Sequence, residues 1–214
     1  MSYIAERRQE EKDRRRGEIL DAATELYREI GWDAVTMDAV ARRARLSRAL
    51  VYVYFKDKDA LHLAIAVQAL ELLRERFIEA AERERRGLDK VAAIGRAYIA
   101  YAYEFPHYFD ACSRMELRSP TQETPDAQEL ACMQYGDRVH EVVVDALTTG
   151  IEDGSIRSDV GAPALVSRVL WGFTHGIMQI GIRKAQVLAA SGISAQALMD
   201  QAHLLMTKSL AAPD

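Results

Sequence analysis

Between Ala41 and Lys58 the chain carries six basic side chains, Arg42, Arg43, Arg45, Arg48, Lys56 and Lys58, against one acid, Asp57. Clustered guanidinium and ammonium groups are the chemistry of anion binding, and of polyanions in particular. A second cluster, Arg7–Arg16, sets six basic residues against three acids. The totals point the other way: the net charge is −4 and the pI about 5.8, which alone would count against a nucleic-acid partner. The distribution is uneven, however. The first 60 residues hold 13 Lys/Arg against 12 Asp/Glu, and the remaining 154 hold 15 against 20. The basic character is local and N-terminal.

Other chemistries find no comparable grouping. The five histidines, at 62, 107, 140, 175 and 203, are scattered, and HxxxH and CxxC spacings are absent, so no metal site is expected. No Ser/His/Asp or Cys/His set and no Gly-rich phosphate loop stands out, so neither catalytic residues nor a cofactor are expected, and an all-α enzyme is the weaker alternative. Cys112 and Cys132 make neither a disulfide framework nor a metal cluster. The opening MSYIAERRQEEKDRRR is charged and lacks the apolar stretch of a signal peptide. No apolar run approaches the roughly 18–20 residues of a membrane span. A cytoplasmic location without a membrane partner is the expectation.

These side chains need elements to position them. Five prolines and twelve glycines in 214 residues are too few for the turns of an all-β chain, so an all-α fold of about nine helices is predicted. Ile19, Ala23, Leu26 and Ile30 recur at helical spacing over Glu10–Ile30, and Gly31 stops that helix. Thr36, Ser47 and Asp57 then stand as three N-caps. They open a short helix over Met37–Ala44, a second through Phe55, and a long one to about Arg86. Two short helices joined by a tight turn at Arg45–Leu46 form a helix-turn-helix. Further helices are read over Leu88–Phe105, His107–Leu117, Asp126–Glu152, Ala162–Ala190 and Ser194–Ala211. Arg118–Pro125 reads as a loop and Asp153–Asp159 as a turn. The composition suggests two domains, residues 1–60 and 61–214.

The run ILDAATELYREIGWDAVTMDAVARRARLSRALVYVYFKDKDAL, Ile19–Leu61, resembles the N-terminal domain of the tetracycline-repressor (TetR) family of transcriptional regulators. ILDAA, Trp32 after Gly31, Thr36, DAVARRA, Ser47 and YVYFKDKDAL stand in order at the family's spacings. The resemblance implies a DNA-binding regulator acting on double-stranded DNA at a palindromic operator, associated with the nucleoid. Arg48 is then the candidate for base readout, since a guanidinium pairs bidentately with guanine O6 and N7. Ala49 permits close approach to a base edge, and Val53 offers contact with a thymine methyl. Thr36, Tyr52, Tyr54 and Lys58 occupy the places at which the family holds phosphates, with Arg42 and Arg43 as further phosphate candidates. Two departures matter. Arg45 fills a turn position that is commonly glycine, where a left-handed backbone costs on the order of 1 kcal/mol. Leu50 replaces a phosphate-binding threonine, so no phosphate role is carried over to it. Arg7–Arg16 is a candidate basic arm, weakened by its interspersed acids.

In TetR-like proteins the C-terminal helices supply a homodimer interface and a small-molecule pocket. WGFTHGIMQIG, Trp171–Gly181, is apolar around most of its circumference and must be covered on two sides. Gly172 and Gly176 allow another backbone to come close. Phe173, Ile177, Ile180, Leu198, Leu205 and Met206 are the expected dimer contacts. The Trp171, His175, Gly176 pattern resembles the W…HG subgroup of the family's C-terminal domains. Tyr98, Tyr101, Phe105, Met115, Met133, Trp171 and His175 are the expected lining of an effector pocket for a lipophilic or aromatic small molecule. Binding would shift the population of dimer geometries and release the operator, with the long helix as the lever. Control by a protein partner, or no effector at all, is the alternative.

Overall fold

A computed structural model of the chain describes residues 3–116 and 127–213. Among these described residues are ten α-helices: α1 Tyr3–Ile30, α2 Met37–Arg43, α3 Arg48–Tyr54, α4 Lys58–Glu82, α5 Gly87–Glu104, α6 Pro106–Glu116, α7 Ala127–Glu152, α8 Pro163–Arg183, α9 Ala185–Ala190 and α10 Ala195–Leu210, with a 3-10 turn at Trp32–Ala34. No sheet occurs among the described residues, although an isolated antiparallel bridge pairs Ile156 with Ala211. The all-α expectation holds. The loop expected at Arg118–Pro125 lies outside the described residues, as does the Leu117 end of the helix before it. No helix among the described residues is long and apolar enough to cross a membrane.

Three boundaries differ from the reading of the sequence, the first being that α4 ends at Glu82 rather than about Arg86. The first helix begins at Tyr3 rather than Glu10. Residues 6–14 of it are exposed and polar, so no apolar period marks them; Arg14 and Arg15 are instead paired with Glu11 and Glu18 at helical spacing. This segment is helix rather than an extended arm, and the cations of Arg14 and Arg15 are engaged by its own acids. The stretch read as one helix over Ala162–Ala190 is two, broken at Lys184, which leaves the helical region at φ −115°, ψ 20°. Neither proline nor glycine stands there to announce the break.

Packing divides the chain into two units. Residues 1–69 and 106–132 make the first, and residues 70–105 and 133–214 the second. The division falls within α4 and α7, and the first unit takes in α6, which a boundary at residue 60 leaves out. In the first unit Ile19, Ala23, Leu26, Tyr27, Trp32, Val35, Val40, Val51, Phe55, Leu61 and Ile65 form one buried core with Ala111 of α6. An ion-pair network closes it on one side. Arg114 donates to both carboxylate oxygens of Asp33, at 2.8 and 3.0 Å, and through Nε to Asp110 at 2.7 Å; Tyr27 Oη donates to the same Asp110 oxygen at 2.7 Å. The guanidinium of Arg114 holds the Asp33 carboxyl below the usual carboxylate range.

In the second unit Val91, Ile94, Tyr98, Tyr101, Leu147, Ile156, Met178, Met199 and Leu210 are buried. The turn DGSIRSD caps α5 from a distance: Asp153 Oδ2 accepts from the amide of Gly87 at 2.8 Å, and Ser155 Oγ from that of Leu88 at 3.0 Å. Two of the amides that a helix start leaves without an intrahelical partner are thereby satisfied. The approach is close enough that side chains are excluded. A Cβ on Gly87 would stand 2.0 Å from Gly150 N and 2.7 Å from Ala146 O. Gly87→Ala should therefore destabilise the protein by about 1–3 kcal/mol, the usual range for overpacking. Gly136→Ala, whose Cβ would meet nothing within 4 Å in α7, should be neutral or stabilising by up to about 1 kcal/mol. Denaturant unfolding measures both.

Candidate nucleic-acid interface

Helices of seven residues need their ends satisfied, and both short helices are capped as the sequence predicts. Thr36 Oγ1 accepts from the amide of Ala39 at 3.1 Å and Ser47 Oγ from that of Leu50 at 3.2 Å. Asp57 Oδ1 accepts from the amide of Ala60 at 2.7 Å, opening α4. Between α2 and α3 the amide of Leu46 reaches back to the carbonyl of Ala41 at 2.9 Å, and that of Arg45 to Arg42 at 3.2 Å. This is the Schellman pattern, whose penultimate residue must be left-handed. Arg45 is, with φ 57°. The turn keeps its shape without glycine and carries the strain.

The core fixes which side of α3 faces outward. Val51 and Phe55 are fully buried one turn apart. Arg48, Ala49, Tyr52 and Val53 are consequently exposed, Val53 to 76%. The three expected base-reading residues thus share the outward side of one helix. Arg48 is also held from within the unit. Its Nη1 donates to Asp38 Oδ2 at 3.3 Å, its Nε lies 3.1 Å from Asp38 Oδ1, and its guanidinium carbon stands 5.5 Å from the Tyr52 ring centroid. The Tyr52 hydroxyl, and after it the Asp38 carboxylate, raises the pKa of this guanidinium above its ordinary value.

The expected phosphate-holding residues are differently engaged. Thr36 and Arg42 are exposed, Tyr52 is 39% exposed, and Tyr54 packs partly against the core. Lys58 Nζ stands 4.9 Å over the Trp32 ring and donates to the Asp33 carbonyl at 3.3 Å, and partial burial lowers its pKa. Arg43 is turned back onto α1, bonding Glu29 at 2.6 and 3.1 Å and Glu25 at 3.1 Å. It anchors α2. The Glu25 and Glu29 partners of Arg43, the Asp33 partner of Arg114 and the Asp38 carboxylate beside Arg48 are ten or more residues away in sequence, and no local pattern signals them.

In the second unit, the residues expected to line a pocket come together in part. Tyr98 and Tyr101 are buried, and Phe77 meets Tyr98 edge-on at 5.7 Å. Tyr98 Oη lies 2.7 Å from His175 Nδ1, and Gln179 Nε2 donates to His175 Nε2 at 2.8 Å. Trp171 lies 6.1 Å from the His175 ring, and Phe105 lies 5.6 Å from Tyr101. Met115 and Met133 are not brought to them: Met115 packs with Leu63, Ala66 and Cys132 in the first unit, and Met133 is 59% exposed. The cleft lined by Gly95, Phe173, Ile177, Met199, His203 and Met206 holds about 10 Å³, no more than the space of one water. Of the expected dimer contacts, Phe173, Ile180 and Leu205 are exposed, Ile177 and Leu198 half-buried, and Met206 buried.

A helix-turn-helix whose second helix presents a guanidinium and small apolar groups outward defines a DNA-binding regulator. The chain belongs to the TetR family. Residues 19–65 match the family described as bacterial regulatory proteins, tetR family, and residues 91–202, half of the chain, match the tetracyclin repressor-like C-terminal domain. The HTH-type transcriptional repressor Rv1474c of Mycobacterium tuberculosis is 31% identical over 152 residues, 71% of this chain and 74% of that protein. The Bacillus subtilis HTH-type regulator YhgD is 36% identical over 64 residues, 30% of this chain and 34% of that protein. Among solved structures, the regulator FadR from Bacillus subtilis, in complex with stearoyl-CoA, superposes with a TM-score of 0.67 at 18% identity, covering 90% of this chain and 98% of that one. Proteins of this family are transcriptional regulators and not enzymes.

Two imidazoles of the second unit, His175 buried and His140 half-buried, give a pH dependence with a definite sign. Burial lowers the pKa of His175 and of His140 to about 4, with Arg183 and Arg168 respectively as the next causes. Unfolded, each titrates near 6.5. Below that pH the unfolded chain binds protons that the folded chain does not, so their contribution is full above pH 6.5 and is lost as pH falls toward 4. His175→Gln should flatten the slope of unfolding free energy in this window by about 1.4 kcal/mol per pH unit, one proton's worth. Parallel profiles for wild type and variant would contradict the assignment.

Proposed function

We propose that the chain is a ligand-responsive repressor that binds a palindromic operator as a homodimer. The observation that carries the reading is the outward grouping of Arg48, Ala49 and Val53 on a capped recognition helix. In this reading Arg48 takes a guanine edge while Ala49 and Val53 contact neighbouring bases. Thr36, Tyr52, Tyr54, Lys58 and Arg42 hold the phosphates on either side, and Arg43 braces α2. The family membership and the repressor name of the Mycobacterium tuberculosis relative support repression. The protein then works in the cytoplasm, at the nucleoid.

One recognition helix reads few base pairs, and two copies related by a two-fold read a palindrome. The second unit has a surface suited to that pairing. Leu165, Val169, Phe173 and Ile180 on α8 are 65, 62, 40 and 46% exposed, at intervals of four, four and seven residues, so they form one apolar stripe. Gly172 and Gly176 lie along it, and a Cβ on either would meet nothing within 4 Å. Leu204 and Leu205 of α10 are 45 and 55% exposed. A second copy would cover this surface, with Phe173, Ile177, Ile180, Leu198, Leu205 and Met206 in or beside the contact.

The effector reading rests on Tyr98, Tyr101, Phe105, Trp171 and His175, an aromatic cluster with a polar centre. The stearoyl-CoA bound to FadR is a lipophilic ligand in the same fold. A ligand there would favour one dimer geometry over another, with α4 as the lever.

Sedimentation and salt titration test the reading together. The wild-type chain should sediment as a dimer at micromolar concentration, and Phe173→Glu should shift it toward monomer and weaken operator binding. Lys58→Ala should weaken binding to all duplexes alike and reduce the slope of log K against log salt by about one. A monomeric wild type, or an unchanged slope, would count against the dimer or the phosphate assignment respectively.

A further inference from the structure

Arg48, the cation at the start of the recognition helix, is not loose on the surface. Asp38, in the first turn of α2, reaches across the turn to it, with Oδ2 accepting from Nη1 at 3.3 Å and Oδ1 standing 3.1 Å from Nε. Tyr52, one turn along α3, lies under the guanidinium and places its hydroxyl 3.5 Å from Nη2.

Stability does not account for this carboxylate. The side chains of Arg48 and Asp38 are 62 and 48% exposed, and an ion pair in that much water contributes little. A carboxylate in the first turn suits the helix dipole, but that effect does not require it to turn onto a residue of the next helix. At a surface that meets a polyanion, moreover, a negative charge weakens binding to every sequence alike. Its useful effect is on Arg48 itself. A guanidinium has five N–H groups. Asp38 takes one on Nη1 and Tyr52 one on Nη2, which leaves one N–H on each terminal nitrogen. Guanine presents the two acceptors, O6 and N7, that such a pair needs.

We propose that Asp38 is the positioning residue of base readout. It holds Arg48 by charge against the outward side of α3, so that the guanidinium does not swing to a backbone phosphate. A sequence-blind cation thereby becomes a base-reading one, at the expense of some affinity for DNA in general. The inference rests on the reading of α3 as the recognition helix.

The test uses the full chain, the duplex that wild type enriches from random DNA, and versions of it with each guanine replaced in turn. Asp38→Asn keeps the shape and helix-start character of the residue and removes the charge. At the guanine whose replacement most weakens wild-type binding, Asp38→Asn should lose about tenfold of the discrimination. Its binding to an unrelated duplex should tighten, and its salt slope should steepen by about one as Arg48 becomes free to meet phosphate. A residue that serves only to start α2 would lower the melting temperature and leave base preference and salt slope where they were. Unchanged discrimination in Asp38→Asn, with a clear wild-type motif, overturns this proposal alone. Failure of the wild type to enrich any sequence overturns it together with the recognition-helix reading.

Discussion

A helix of seven residues does not hold in water by itself; isolated helices below about 12–15 residues are marginal even in favourable sequences. α2 and α3 are both of that length, and the interface depends on what keeps them folded. Val40, Val51 and Phe55 are fully covered by the core of the first unit, and the hydroxyls of Thr36 and Ser47 satisfy amides at the helix starts. Burial of Val51 and Phe55 along one side sends Arg48, Ala49, Tyr52 and Val53 to the other. What the helix presents outward is thus decided by what it hides.

The turn between these helices shows how firmly that arrangement is set. Arg45 adopts the left-handed backbone that glycine would take at no steric penalty. The strain is on the order of 1 kcal/mol, small beside the burial of Val51, Phe55 and Leu61. Arg114, with two bonds to Asp33 and one to Asp110, ties α6 to the segment just ahead of α2. The recognition helix is therefore braced by the core, by its caps and by an ion-pair network, all within one unit.

Much of this is legible in the residues because the relevant chemistry is local. An N-cap is read from a hydroxyl or carboxylate three residues ahead of the amide it serves, so Thr36, Ser47 and Asp57 announce three helix starts. The left-handed turn at Arg45 fits its place between two capped helices. What stays hidden is long-range or carries no period. The bonds of Asp38 to Arg48, of Arg43 to Glu25 and Glu29, and of Asp33 to Arg114 join residues 10 to 81 positions apart. Residues 6–14 of α1 are polar all round, and the break at Lys184 has no helix-breaking residue. Large apolar residues at helical spacing cannot by themselves distinguish a pocket from a core: Tyr98 and His175 meet, whereas Met115 and Met133 lie elsewhere.

The net charge of −4 averages over parts with different tasks, and the central claim is that the exposed side of α3 reads DNA in duplicate. Selection of bound duplexes from random DNA, run in parallel with wild type and Arg48→Ala, tests it most directly. Wild type should enrich an inverted repeat with a preferred guanine in each half, and Arg48→Ala should lose the preference at that guanine while keeping the rest of the repeat. The same motif from both proteins, or a wild-type motif without two-fold symmetry, would contradict it.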